Sequence, residues 1–191
     1  MEGNYKNAMS SFKQYLAKYP DGAFSVTANY YLADCLSREN QKQEALSCYE
    51  KVISKPKNIY TKKSILKAAE IKKKNKDYEK SKQQYQRLEE IAEISSYKLQ
   101  AMDGLMQSYF ALSQFDSAII CANKLLSLDK LDEAVRERAN YTLAKSLLAN
   151  QNTGQAIEEF KRLTKAKNPE YAAEAQYTLA ELNFMAGKTD E

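Results

Sequence analysis

The chain has 191 residues, of which 43% are apolar and 28% charged, with a formal net charge of +4. That balance excludes a disordered polar tail, and no apolar run approaches the length of a membrane span. There is no His, and Cys35, Cys48 and Cys121 form no CxxC, so a Cys/His zinc site and a His-based acid–base centre are excluded.

Five Gly and three Pro are few for this length and fit helices joined by short turns. Apolar residues recur at gaps of three and four, on one side of a 3.6-residue helix. The spacing predicts about ten antiparallel helices, over residues 4–18, 24–38, 42–54, 60–75, 78–91, 96–112, 115–127, 132–149, 153–166 and 171–185. Asp132, Glu133 and Glu170 fall at predicted helix starts, where negative charge is favoured.

The helices repeat as pairs. Ala8, Ala45, Ser81, Ala118 and Ala156 mark the second, or B, helix of each pair, at gaps of 37, 36, 37 and 38. Four residues on stand Phe12, Tyr49, Tyr85, Ala122 and Phe160. Three further on stand Tyr15, Val52, Leu88, Leu125 and Leu163. Leu32-Ala33, Ala68-Ala69, Leu105-Met106, Leu143-Ala144 and Leu179-Ala180 mark the first, or A, helices. Within a pair the second A marker precedes the B marker by 12 in all four cases, whereas from one pair to the next the gap runs from 24 to 26. A one-residue slip inside a pair would turn the buried face by about 100°. The turn inside a pair is therefore held constant, and the surface connection between pairs absorbs the variation.

This order of small, aromatic and apolar residues, 12 after a Leu-Ala pair, resembles the tetratricopeptide repeat (TPR). Pro20 falls at the family's post-B position, and Pro56 and Pro169 lie within one residue of it. The bulky residue of the family's A helix is here Asn29, Ile65, Met102, Asn140 and Gln176, and Ser81 with a Lys-rich A helix makes residues 59–88 the weakest match. The resemblance implies an all-α right-handed superhelix, a TPR solenoid. It divides the chain into a half repeat 1–22, repeats 23–58, 59–94, 95–131 and 132–169, and a half repeat 170–191. The family's intra-pair turn falls on residues 3–5 and 187–191, so a segment of a longer repeat protein is expected, with end-to-end self-association through the cut ends. The run Lys18-Tyr19-Pro20-Asp21-Gly22-Ala23-Phe24 is similar to joins in bacterial envelope TPR proteins of the Tol–Pal coordinator and outer-membrane assembly lipoprotein type, which leans the expected compartment towards the periplasm. The first residues show no basic segment followed by an apolar one, as a processed chain would also, so compartment stays open.

The resemblance implies a concave groove lined by A-helix residues. Carried over, these are Tyr30, Asp34 and Arg38, then Leu66 and Glu70 with Lys63 and Lys73. They continue with Asp103, Gln107 and Phe110, then Tyr141 and Lys145 with Arg138, and lastly Tyr177 and Glu181. The Lys/Asn clamp of the chaperone-binding subfamily is absent from these positions. A groove of Tyr, Phe and mixed charge suits an extended or helical peptide. Tyr30, Tyr141 and Tyr177 serve equally well as packing between neighbouring A helices, since a phenol has an apolar body and a polar tip.

Neither a Gly-rich phosphate loop nor a carboxylate dyad is legible. Glu89-Glu90 and Glu158-Glu159 point to different helix faces. The expectation is a non-catalytic protein-binding scaffold with no cofactor and no metal. Charge leaves one alternative. Residues 51–82 hold twelve Lys against Glu70, Asp77 and Glu79. Such a block is either a solvated face or a surface for nucleic acid or anionic lipid. It contains no Arg, the residue whose planar fork suits phosphate, so nucleic acid is the lesser reading.

Overall fold

The computed structural model describes residues 5–187, and these hold ten α-helices and no strand. They are α1 (Tyr5–Lys18), α2 (Ser25–Arg38), α3 (Lys42–Ile53), α4 (Thr61–Lys74), α5 (Tyr78–Ile91), α6 (Ser95–Ala111), α7 (Phe115–Leu126), α8 (Glu133–Ala149), α9 (Thr153–Leu163) and α10 (Pro169–Met185). The helix start expected at residue 4 and the turn residues expected at 3–4 and 188–191 lie outside the described residues. The chain forms two compact units, residues 1–101 and 102–191, with the division inside α6.

In the first unit α1 packs on α2, α2 on α3, α3 on α4 and α4 on α5. Ala33, Ala45, Ala69 and Ser81 are wholly buried, so each pair meets small residue to small residue. Ser81 stands where the other B helices carry Ala, and its hydroxyl donates to the Ala69 carbonyl at 2.9 Å. The weakest repeat thus keeps its register through a hydrogen bond between its own two markers. Tyr49, Tyr85, Val52 and Leu88 complete the seam, all almost fully buried. Burying a large apolar side chain of this kind is worth about 1.5–3 kcal/mol.

The second unit repeats the scheme, with α7 on α8, α8 on α9 and α9 on α10. Met106, Ala118, Ala144 and Ala156 are wholly buried, as are Ala122, Leu125 and Phe160.

The constant gap of 12 has a backbone cause. Asn40, Lys76, Ser113 and Gln151 each close an A helix with φ near +60°. One residue on, a backbone N–H returns to the carbonyl five residues earlier: Gln41 to Leu36, Asp77 to Lys72, Gln114 to Tyr109 and Asn152 to Leu147, at 2.8–2.9 Å. This is a Schellman closure, which fixes both the length and the direction of the turn. Only Asn40 is a residue that tolerates the left-handed region well. Lys76, Ser113 and Gln151 adopt it at a cost of about 1 kcal/mol each.

The connections between pairs are individual. In the first, a Cβ at Gly22 would lie 2.9 Å from the Tyr19 Cβ, and the Tyr15 hydroxyl accepts from the Phe24 N–H at 3.2 Å. In the last, α9 ends at Leu163 rather than 166 and α10 starts at Pro169 rather than 171. Asn168 caps α10 by accepting from the Glu170 N–H, with Pro at the first helical position. Glu137 on α8 is only 8% exposed, and its carboxylate accepts the N–H groups of Lys167 and Asn168. A buried acid thereby holds the α9–α10 turn against α8.

Candidate functional site

The A helices of each unit present side chains to one another in a fixed register. The residue six before one A-helix marker reaches the residue three before the marker of the preceding A helix. Lys63 lies 5.5 Å over the Tyr30 ring, Arg138 grips Asp103, and the Tyr141 hydroxyl donates to Glu174. A second recurrence stacks ring on ring. Tyr30 lies 4.4 Å from Tyr60 and Tyr141 4.5 Å from Tyr171, each pair 30 residues apart.

In the first unit the A helices α2 and α4 flank an open cleft of about 410 Å³. Asp34 and Arg38 line it from α2, Glu70 from α4, and Tyr49 and Ile71 supply apolar contact. Two ion pairs lie along its walls, each within one helix: Arg38 Nε to Asp34 at 3.1 Å on α2 and Lys67 Nζ to Glu70 at 2.8 Å on α4. Arg38 also donates to the Tyr5 hydroxyl, and Asp34 raises its pKa. Lys63, Lys42 and Lys74 complete the lining and have no carboxylate within ion-pair reach among the described residues. The Tyr30 hydroxyl raises Lys63 further above its ordinary value, so it stays charged at neutral pH. Burial pushes the Tyr49 phenol up to about 12 and keeps it neutral. Tyr31 and Tyr60 extend the Tyr30 stack, at 5.3 and 4.4 Å from that ring.

The Lys-rich block looks different once folded. Seven of its twelve Lys form ion pairs, and Asp21, Glu50 and Glu93, all outside the block, supply many of the carboxylates. Lys72 is the extreme case: its side chain is 8% exposed and its ammonium sits 2.6 Å from Glu50.

In the second unit the corresponding residues satisfy one another. Arg138 holds Asp103 through two bonds, at 2.7 and 3.0 Å. Glu174 accepts from Tyr141 at 2.6 Å and from Lys145 at 2.7 Å. Burial alone would raise the Glu174 carboxyl, but Lys145 and Tyr141 outweigh it and hold the group below its ordinary value. Burial and then Glu174 raise the Tyr141 phenol.

The groove positions named from sequence therefore divide. Asp34, Arg38 and Glu70 come together on the first cleft, while Tyr30 and Leu66 are buried beside it. Asp103, Tyr141 and Lys145 are half-buried in the ion-pair network of the second unit. Gln107 and Phe110 are half-buried, and Phe110 meets Phe115 edge-on at 5.9 Å. Tyr177 is 65% exposed on α10, where it donates to Glu181 at 2.8 Å. Sequence reasoning missed Glu174, Tyr60 and Tyr171, and the cleft residues Lys42, Lys67 and Lys74. The Tyr recurrence at a gap of 30, twice, was the available signal.

Two tetratricopeptide repeat models match the sequence, one over residues 1–22 and 27–58, the other over residues 141–191. Together they take in more than half of the chain. The chain belongs to the tetratricopeptide repeat family. Members of this family generally serve as protein-interaction scaffolds. No curated protein matches. Among solved structures, a tetratricopeptide repeat protein from Parabacteroides merdae is 21% identical with a TM-score of 0.71, over 98% of this chain and 69% of that one. MamA is 15% identical with a TM-score of 0.66, over 94% and 93%. The TPR domain of P58(IPK) is 14% identical with a TM-score of 0.56, over 98% and 54%. At these identities the likeness is one of fold: an all-α TPR solenoid.

Proposed function

We propose that this TPR chain is a non-catalytic interaction scaffold that binds a peptide or protein segment on the A-helix face of its first unit. The observation that carries the reading is the open α2–α4 cleft, where polar and charged groups surround an apolar floor of Tyr49 and Ile71. The matching face of the second unit has spent its charged groups on one another. The narrower likeness to bacterial envelope TPR proteins enters only as a choice of sample, a periplasmic extract beside a whole-cell one.

The test is comparative affinity capture from the source cell. The wild-type chain is set beside Asp34→Trp/Glu70→Trp, which fills the cleft with bulk and adds no cation, and Ser47→Trp/Gln83→Trp, on exposed B-helix positions. The reading expects proteins retained by wild type and the B-helix variant and lost by the cleft variant. Equal retention by all three would remove it.

A further inference from the structure

We infer that the α2–α4 cleft takes an acidic peptide segment, whose carboxylates meet Lys42, Lys63 and Lys74. This deepens the scaffold reading above and rests on it.

Charge complementarity sets the occupant. Five cations line the cleft against two carboxylates, Asp34 and Glu70. Those two are already engaged, by Arg38 and Lys67. What remains is three ammonium groups with no carboxylate within ion-pair reach among the described residues, one on α3 and two on α4. The contrast with the rest of the Lys-rich block is the second observation. Outside the cleft, four Lys of that block reach carboxylates beyond it, as Lys55 reaches Asp21 and Lys57 reaches Glu93, and Lys80 and Lys82 pair with near neighbours, while Lys51 and Lys76 make no ion pair among the described residues. Facing the cleft, Lys63 and Lys74 make none. Ammonium groups around a concavity focus positive potential into it and attract a carboxylate-bearing chain. The floor gives such a chain apolar contact at Tyr49 and Ile71, so an acidic segment with an aromatic or aliphatic residue fits better than a purely acidic one.

Nucleic acid fits less well. Single strands bind where aromatic faces are free to stack on bases. Here the Tyr30 and Tyr60 faces are stacked on each other at 4.4 Å, and Tyr30 is buried. The cleft's one guanidinium, Arg38, is held by Asp34 and Tyr5.

The experiment measures fluorescence anisotropy with the full chain and labelled peptides of about twelve residues, long enough to run along a helix groove. One peptide is rich in Asp and Glu with a central Phe. Its match replaces each acid by Asn or Gln. A thymidine oligonucleotide of similar length is the third probe. The acidic peptide should bind about tenfold tighter than its amide match, and Lys63→Glu/Lys74→Glu should weaken it by about tenfold or more. Lys55→Glu/Lys57→Glu, an equal charge change outside the cleft, should change it less than about twofold. Circular dichroism of both variants confirms that they fold. An amide match that binds equally well, an equal loss in the two double variants, or tighter binding of the oligonucleotide overturns the inference. The capture experiment separates the two claims. If partners are lost when the cleft is filled while acidic and amide peptides bind alike, the acidic specificity falls and the scaffold reading stands.

Discussion

The two units of this TPR chain share one register and differ in what they leave unpaired. In residues 102–191 the A-helix face is closed by its own chemistry: Arg138 against Asp103, and Tyr141 with Lys145 against Glu174. In residues 1–101 the same register brings Lys63 over Tyr30, an interaction between a cation and a ring that leaves the ammonium free for a further carboxylate. Repeat geometry fixes where side chains meet, and residue choice at two positions decides whether a face is a strut or a site.

The largest expected effect breaks the strut. Glu137→Ala removes a buried acceptor from two backbone N–H groups at the α9–α10 turn and should cost about 2 kcal/mol in denaturant unfolding of the full chain. Arg138→Ala leaves the half-buried Asp103 without its two-bond partner and should cost about 1–2 kcal/mol. The double variant with Asp103→Ala should cost less than the two single losses together, and acidic-peptide affinity should be unchanged by either. Lys76→Gly relieves the left-handed conformation of a lysine and should stabilise the first unit by about 1 kcal/mol, measured the same way. Lys63→Ala should change stability by less than about 0.5 kcal/mol while weakening the peptide, the reverse of Arg138→Ala.

Titration sharpens the same comparison. The Glu174 carboxyl is held below its ordinary value of 4.5. Its pairing therefore stabilises the second unit fully above that pH and is lost as pH falls through the depressed folded value. Carbon-detected NMR should place the Glu174 midpoint below 4.5 in the wild type, and Lys145→Ala should move it upward.

The helices and the seam between paired helices were legible because both depend on short spacings. Ala33 with Ala45, and Ala144 with Ala156, could be read as partners from a gap of 12, and both pairs are wholly buried. The left-handed turn residues were not, because Lys76 and Gln151 are poor indicators of that conformation and only the constant gap hints at it. The first-unit cleft was half legible. Family register pointed to Asp34, Arg38 and Glu70, which do line the cleft. It did not show which of the distant charges cancel, because those pairs join residues 22–36 apart, as Lys72–Glu50 and Lys57–Glu93 do. Such pairs form only once consecutive repeats have stacked, so a block of twelve Lys read as a strongly basic surface although much of its charge is neutralised in place.

Amide chemical-shift mapping of the isotope-labelled full chain, titrated with the acidic Phe-containing peptide, tests the central contrast most directly. The account predicts shifts concentrated on Asp34, Arg38, Lys63, Glu70 and Lys74, with the Asp103, Tyr141 and Glu174 amides unmoved. Shifts centred on the second unit, or spread evenly over the exposed Lys of both, would contradict it.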